Sequence, residues 1–379
     1  MKILYVNDRL DRIWGGGTAE RTRRLSAALV RQGHQVTVLT TTLGMDSDAI
    51  ETFRVDGIVL VTLSFLNKRF AIPILPIGQL RRLIRAQDIV QLSQHWTLLN
   101  AVVYLLVKLE KKPYAVNPAG ALPSFGRSKK LKSIYNWVVG FAMIRNADAH
   151  IAITPAEFEQ FAAYGVVSEV ISVIPNGVDQ SAFNVVDTSE FRDKYALGDA
   201  KIILFMGRLN SIKGPDLLLD AFVKVAERLP EYIVVFAGPN EGMEQSLRQT
   251  AQMHGLAERV KFLGYVGGAD KTAAYRAATL LVIPSRKEAM SIVVLEAGAA
   301  GTPVLITDQC GFDMVEEIGG GRVVQADAQH LADGLLAMLG GTVSLVEVGG
   351  KLCDLVRREF TWDAAAKKLQ DVFFQVLAR

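Results

Sequence analysis

Short runs rich in Val, Ile and Leu alternate with segments of helical period along the whole chain, the pattern of parallel sheets wrapped by helices. In the first half the apolar runs predict strands over residues 3–6, 36–40, 58–63, 89–92, 114–117, 149–153 and 170–174. A 3.6-residue period predicts helices over 18–32, 77–86, 98–109, 130–145 and 155–164. A second series starts at Lys201, with strands over 202–206, 233–237, 260–263, 280–283 and 304–306 and helices over 216–228, 241–254, 269–277 and 291–300. That restart predicts two doubly wound α/β domains, joined in the polar segment 179–200, which sustains neither period. The expected division is 1–190, 191–360 and a closing segment 361–379, whose helix over 364–377 is long enough to reach back to the first domain. Two open α/β sheets bind ligands at the carboxyl ends of their strands, so such domains would face one deep cleft.

Composition narrows the class. The chain has 379 residues, 50% hydrophobic and 21% charged, which suits two folded domains with separate cores. The net charge of +3 is too small for a dedicated nucleic-acid binder, and no nucleic-acid partner is expected. It is unevenly spread: residues 1–190 carry 21 Lys and Arg against 16 Asp and Glu, the remainder 21 against 23. Cys310 and Cys353 form neither a metal-ligand spacing nor a disulfide framework, in keeping with a reducing compartment. Met1 and Lys2 run straight into the first strand, and the longest apolar run, 98–107, is about half of a bilayer span. A cytoplasmic protein with at most peripheral membrane contact is expected.

Several strand-to-helix loops carry chemistry. The run SRKEAMSIVVLEAGAAGTP, residues 285–303, places Glu288 in a loop and Glu296 eight positions on, inside a helix that Ser291 is placed to cap. The free amides of Met290, Ser291 and Ile292 would then face a ligand, and a helix N-terminus favours an anion such as phosphate. An Ala/Gly-rich helix also serves close helix-on-sheet packing, and the fragment alone leaves both readings open. The stretch FMGRLNSIKG, residues 205–214, sets Arg208 and Lys213 on one loop after Gly207, a pair suited to a diphosphate. In the first half Gly15, Gly16 and Gly17 precede a helix, where glycines let a backbone approach a ligand; GxGxxG is absent. His95 beside Trp96, the turn Asn117-Pro118-Ala119-Gly120 and IPNGVD, residues 174–179, stand at the same expected edge, each equally readable as packing or a plain turn.

Taken together, the GGG loop, IPNGVD, MGRLNSIKG and E-AMSIVVL-E followed by AGAAGTPVL resemble the retaining nucleotide-sugar glycosyltransferases of family 4, which have the two-domain GT-B fold. The resemblance runs from end to end and includes Phe360-Thr361-Trp362 at the entry to the last helix. It implies that Arg208 and Lys213 bind the donor diphosphate, Glu288 the donor sugar and Glu296 the ribose hydroxyls. It also implies that the amides of Met290, Ser291 and Ile292 take the distal phosphate, with Gly16 and Gly17 closing on it, Gly207 beside it, and Tyr265 and Val266 near the base. No cofactor and no metal site is expected; the nucleoside-diphosphate sugar is a co-substrate. Two departures leave the donor open: Ala119 stands where many relatives have a histidine, and Ala289-Met290-Ser291 replaces a glycine-aromatic-glycine.

On the acceptor side the resemblance points to the first domain, with His95, Asn117 and Ala119 as candidates. Its cations cluster at Lys68-Arg69, Arg81-Arg82-Arg85, Lys108-Lys111-Lys112 and Arg127-Lys129-Lys130-Lys132, with Phe125, Tyr135, Trp137 and Phe141 interleaved in the last. A basic, aromatic helix suits an anionic membrane surface, and the expected acceptor is a saccharide or lipid-linked saccharide at the inner leaflet. A nucleotide-sugar epimerase of the same fold and a non-catalytic sugar-nucleotide-binding subunit are the competing expectations.

Overall fold

The computed structural model describes residues 1–10, 16–67, 72–123, 129–341 and 344–379. Gly15, Lys68, Arg69, Phe125 and Arg127, singled out above, lie outside the described residues. The chain divides into two compact units, Met1–Asn176 with Trp362–Arg379, and Gly177–Thr361.

Fifteen strands are described. In the first unit they are β1 (Lys2–Val6), β2 (Gln35–Thr41), β3 (Val59–Leu63), β4 (Phe65–Asn67), β5 (Ile72–Pro73), β6 (Ile89–Ser93), β7 (Tyr114–Asn117), β8 (Ala149–Ala152) and β9 (Ile171–Val173). Seven of these make a parallel sheet in the order β3-β2-β1-β6-β7-β8-β9, and β4 and β5 pair separately as an antiparallel ribbon. In that sheet β6, β7 and β8 are buried along their whole length, as sheets covered on both faces require. Leu4, Val6, Leu92 and Val116 form one core with Leu99, Val103 and Val107 of the helix Leu98–Leu109.

The second unit holds β10 (Lys201–Met206), β11 (Tyr232–Ala237), β12 (Val260–Gly264), β13 (Ala278–Ile283), β14 (Val304–Thr307) and β15 (Gly321–Val324). They run parallel in the order β12-β11-β10-β13-β14-β15. Strand order therefore reverses between β10 and β13, and between β1 and β6 in the first unit. Crevices at such switch points open at the carboxyl ends of the strands.

The boundaries differ from those expected. The polar segment after Asn176 belongs to the second unit because its chain is tied there: Val178 N–H donates to Phe360 O at 2.9 Å, and Arg276 Nη2 to Phe183 O at 2.9 Å. The segment also contains a short helix, Ser189–Lys194, whose Arg192 reaches Ala277 O at 3.1 Å. The last helix starts two residues earlier than expected, Trp362–Leu377, and packs on the helix Gly16–Arg31 within the first unit. Arg31 pairs with Asp363 at 2.7 Å and His34 Nε2 meets Gln370 Oε1 at 2.8 Å. Strands β4, β5 and β15 and the helices Ser47–Val55, Ala328–Leu339 and Leu345–Glu359 were not expected.

The Ala/Gly-rich helix is seen as Ile292–Ala299, and it packs tightly against Leu345–Glu359. A Cβ added to Gly298 would lie 2.8 Å from Leu352 and Val356, and one on Gly349 would lie 1.9 Å from Gly301 O. The second clash is with backbone, so no rotamer relieves it. Gly349→Ala is expected to cost about 1–3 kcal/mol by overpacking, read as a lower urea midpoint; an unchanged midpoint would contradict this contact.

Candidate functional site

The two loops that leave the central strands of the second sheet meet. After β10 the chain turns through Gly207, Arg208 and Lys213 into the helix Pro215–Val225, with Pro215 in the first turn where its missing N–H costs nothing. The turn requires Gly214: φ is +67°, and a Cβ there would stand 2.1 Å from Pro284 O at the end of β13. Arg286 N–H donates to Ile212 O at 2.8 Å, and the Arg286 guanidinium reaches Asp216 and Ser211 O. These contacts hold the loop of cations against the loop that carries Glu288.

Lys213 Nζ and Glu288 Oε1 are 3.0 Å apart, and Ser285 Oγ donates to the same oxygen at 2.6 Å. Arg208 Nη1 is 3.1 Å from Glu241 Oε1, and Asn210 Nδ2 donates to the other oxygen of Glu241. Each cation is thus aimed by a carboxylate while remaining partly exposed, the state of a group that can exchange its partner for an anionic ligand. The carboxylate loop is fixed from the far side: Glu288 N–H donates to Gln309 O at 2.8 Å, and Thr307 Oγ1 to Ser285 O at 2.5 Å. Burial and the nearby Glu288 charge push the Cys310 thiol up to about 12, so it stays protonated and serves as packing.

Ser291 occupies the N-cap position of the helix Ile292–Ala299, but its side chain makes no capping bond. Its hydroxyl is buried, the residue only 1% exposed, and has no hydrogen-bond partner. The expectation that Ser291 caps the helix is corrected: its backbone at φ −77° and ψ 113° is close to that of Ser344, which caps Leu345–Glu359, but its Oγ is not turned to the first-turn amides. A buried unpaired hydroxyl at a helix N-terminus is the arrangement an anion completes. Met290 is buried beside it and Ile292 half-buried.

Glu296 lies further along that helix, away from the cation loop. Its Oε1 is 2.5 Å from Lys271 Nζ, and its Oε2 accepts from Tyr275 OH at 2.6 Å. Burial and the Glu296 charge hold the Tyr275 phenol well above its ordinary range, so it remains the donor. Tyr265, after β12, is exposed, and its ring lies against Gly267. Val266 is buried. Gly207 has no steric need to be glycine, since a Cβ would touch Phe205 at an ordinary 3.6 Å.

Gly16 and Gly17 begin the first helix of the first unit. At the carboxyl edge of its sheet the acceptor-side candidates are engaged in structure. His95 is fully buried, its Nε2 2.9 Å from Asn136 Oδ1 and 3.3 Å from Tyr164 OH, and burial pushes the imidazole down to about 4. A helical turn of π type, Asn136–Gly140, carries Asn136 to that contact, and Gly140 leaves the room it needs. Asn117 accepts from Arg21 Nε at 3.0 Å and donates to Ile151 O at 2.9 Å. Ala119 is held at φ +53°, a left-handed conformation costly for any residue with a Cβ.

Arg21, Glu241, Asn210, Lys271 and Tyr275 escaped the sequence reading. Arg21 is buried and donates to Ile174 O, Pro175 O and Asn176 Oδ1, so IPNGVD is a loop tied to a buried guanidinium as well as a turn. Its position four residues before the buried Leu25 on one helix face was the available signal. Glu241 lies 33 residues from Arg208 and carried none. Among the described residues, no group of three or more His, Cys, Asp or Glu could hold a metal ion.

The family model for Glycosyltransferase Family 4 matches residues 15–182, and that for Glycosyl transferases group 1 matches residues 187–342. The chain is 35% identical over 179 residues to mannosylfructose-phosphate synthase of Agrobacterium fabrum, covering 44% of this chain and 39% of that protein. It is 32% identical over 254 residues to D-inositol 3-phosphate glycosyltransferase of Actinosynnema mirum, covering 62% of this chain and 58% of that protein. The matches thus span about two fifths to three fifths of the length of these curated relatives. In fold it is similar to Anabaena HepE in complex with UDP, with a TM-score of 0.81 at 20% identity over 99% of this chain and 100% of that one. Two parallel-sheet Rossmann-like units of this kind are those of GT-B glycosyltransferases, and the chain belongs to glycosyltransferase family 4.

Proposed function

We propose that the chain is a retaining glycosyltransferase that needs no metal. It moves a sugar from a nucleoside diphosphate to a hydroxyl of a saccharide or lipid-linked saccharide, in the building of surface polysaccharide or glycolipid on the cytoplasmic face of a membrane. The observation that carries this reading is the meeting, at the β10/β13 switch point, of Arg208 and Lys213 with Glu288 3.0 Å from Lys213, beside a helix N-terminus whose Ser291 hydroxyl is buried and unpaired.

A diphosphate would lie across the two cations and the amides of Met290, Ser291 and Ile292. As the bond from the anomeric carbon to the diphosphate oxygen breaks, negative charge grows on the leaving group. Arg208 and Lys213, once they exchange Glu241 and Glu288 for the diphosphate, stand on the loop beside that charge and stabilise it. Cations fixed in this way supply what a magnesium ion provides elsewhere. The departing phosphate oxygen takes the proton from the acceptor hydroxyl as the acceptor oxygen bonds to the anomeric carbon from the face the phosphate leaves, so configuration is kept. Glu288 would hold the sugar and Glu296 the ribose, with Tyr265 and the Val266 backbone by the base.

Two curated relatives carry a phosphate in the names of what they use or make. The excess of cations in residues 1–190, 21 against 16 acidic residues, suits a phosphorylated acceptor of either a soluble or a lipid-linked kind.

A thermal-shift panel of UDP, GDP and ADP sugars is expected to raise the melting point with one nucleotide class, because a ligand that binds the folded state stabilises it by mass action. No shift with any of them would count against donor binding. With that donor, Arg208→Ala is expected to lower kcat by about 100-fold, the usual loss for one charge-stabilising donor, while the melting point of the free protein stays put. Turnover equal to wild type would remove the guanidinium from the reaction. Proton NMR of the product anomeric centre should give the configuration of the donor; inversion would rule out the same-face route.

A further inference from the structure

The loop after β11 stands against the loop of cations and sends one carboxylate into it. The two loops are joined along their backbones: Leu209 N–H donates to Pro239 O at 2.9 Å, and Glu241 N–H to Leu209 O at 3.2 Å. Gly238 makes the approach possible, since a Cβ there, at φ +150°, would lie 1.9 Å from Gly207 O. Beyond it Asn240 Oδ1 accepts from the N–H groups of Gly242, Met243 and Glu244, at 2.8, 3.1 and 3.2 Å, and fixes the turn. Glu241 therefore has little choice of position, and its side chain is only 16% exposed.

Both of its oxygens are committed. Oε1 lies 3.1 Å from Arg208 Nη1, and Oε2 accepts from Asn210 Nδ2. Asn210 in turn accepts through Oδ1 from Lys213 N–H at 3.0 Å. One carboxylate thus fixes Arg208 directly and the backbone of Lys213 at one remove, so both cations of the β10 loop depend on it. A negative charge among groups that bind a diphosphate also repels that ligand. Glutamine would hold Asn210 as well and would not repel, so the orienting contacts alone do not account for the charge.

The two ligands that the site handles in the proposed reaction differ in charge. The diphosphate of the donor is esterified at both ends, whereas the released nucleoside diphosphate has one end free and so one more oxygen to ionise near neutral pH. Uncompensated cations therefore hold the product more tightly than the donor. We propose that Glu241 is a positioning residue and also the resident counter-ion of Arg208. It aims the guanidinium, and Lys213 through Asn210, before the donor arrives, and it takes Arg208 back as the nucleoside diphosphate leaves. The proposal rests on the glycosyltransferase reading above and adds to it a residue that limits retention of the product. Glu288 is not free for this task, since in that reading it holds the sugar. Glu241 gives up only its Arg208 contact and keeps Asn210, so the loop holds its shape while a ligand is bound.

The test is calorimetric titration of the full chain with UDP, GDP and ADP, then with the nucleotide sugar of the base that binds, in wild type, Glu241→Gln and Glu241→Ala. Glu241→Gln removes the charge and keeps an acceptor for Asn210. It is expected to bind the nucleoside diphosphate about fivefold more tightly, the upper range for one partly exposed ion pair, and to gain less for the sugar donor. In turnover the same variant should be inhibited at a correspondingly lower concentration of added nucleoside diphosphate. Glu241→Ala also frees Asn210, and is expected to lose the gain in affinity and to lower kcat about tenfold, one charge-assisted contact. Melting points check that both variants fold. An ion pair with a merely structural role would give variants that bind as before or more weakly. Binding by Glu241→Gln no tighter than wild type, an equal gain for donor and product, or a gain that survives in full in Glu241→Ala would overturn the proposal. A wild type that binds none of the three nucleotides would overturn the donor-site reading and this proposal with it, so the wild-type titration tells the two failures apart.

Discussion

The second unit depends on a close backbone approach between two loops at the carboxyl ends of its central strands. Gly214 lies so near Pro284 O that a Cβ would fall 2.1 Å from it. That contact brings a loop with two cations against a loop with a carboxylate, and the Lys213–Glu288 pair at 3.0 Å follows from it. Neither loop would be held in this shape alone. The β10 loop needs the Pro284 carbonyl and Arg286 as a wall, and the β13 loop needs Gln309 O and Thr307 behind it.

The same logic gives the helix Ile292–Ala299 its composition. Its small residues let Leu345–Glu359 pack at backbone distance, and that packing fixes where its amino end points. Packing and site formation are therefore two consequences of one set of residues, so the two readings of its sequence were never exclusive. In the first unit the corresponding edge is organised differently. A buried guanidinium, Arg21, gathers the carbonyls of Ile174 and Pro175 and the side chains of Asn117 and Asn176. Burial lowers its pKa only to about 10, so it is still charged at neutral pH and its acceptors must stay in place.

What could be read in advance divides along physical lines. Strands β1, β2, β6, β7, β10, β11, β13 and β14 are apolar runs that need burial on both faces, and such runs are legible one strand at a time. Strand β15, Gly321–Val324, is half-exposed at an edge and begins with glycine, so its four residues carried little pattern. The helix Ala328–Leu339 had a signal that went unused, Asp327 capping a stripe of Leu331, Leu335 and Met338. The loops with Arg208, Lys213, Glu288 and Ser291 were legible because loop chemistry is local. The partners that aim them were not: Glu241 reaches Arg208, and Lys271 reaches Glu296, across separations that only the fold closes. His95 shows the reverse error, a suggestive residue whose burial and bond to Asn136 make it part of the packing of the first unit.

The central claim is that the β10 and β13 loops recognise a diphosphate. Calorimetric titration of the nucleoside diphosphate against the monophosphate of the same base tests it most directly, in the wild type and in Lys213→Met. The account predicts that the wild type prefers the diphosphate by about tenfold or more, one charge-assisted contact, and that Lys213→Met loses most of this preference while binding the monophosphate as before. Equal affinity for the two nucleotides in the wild type, or a preference that survives Lys213→Met intact, would contradict it.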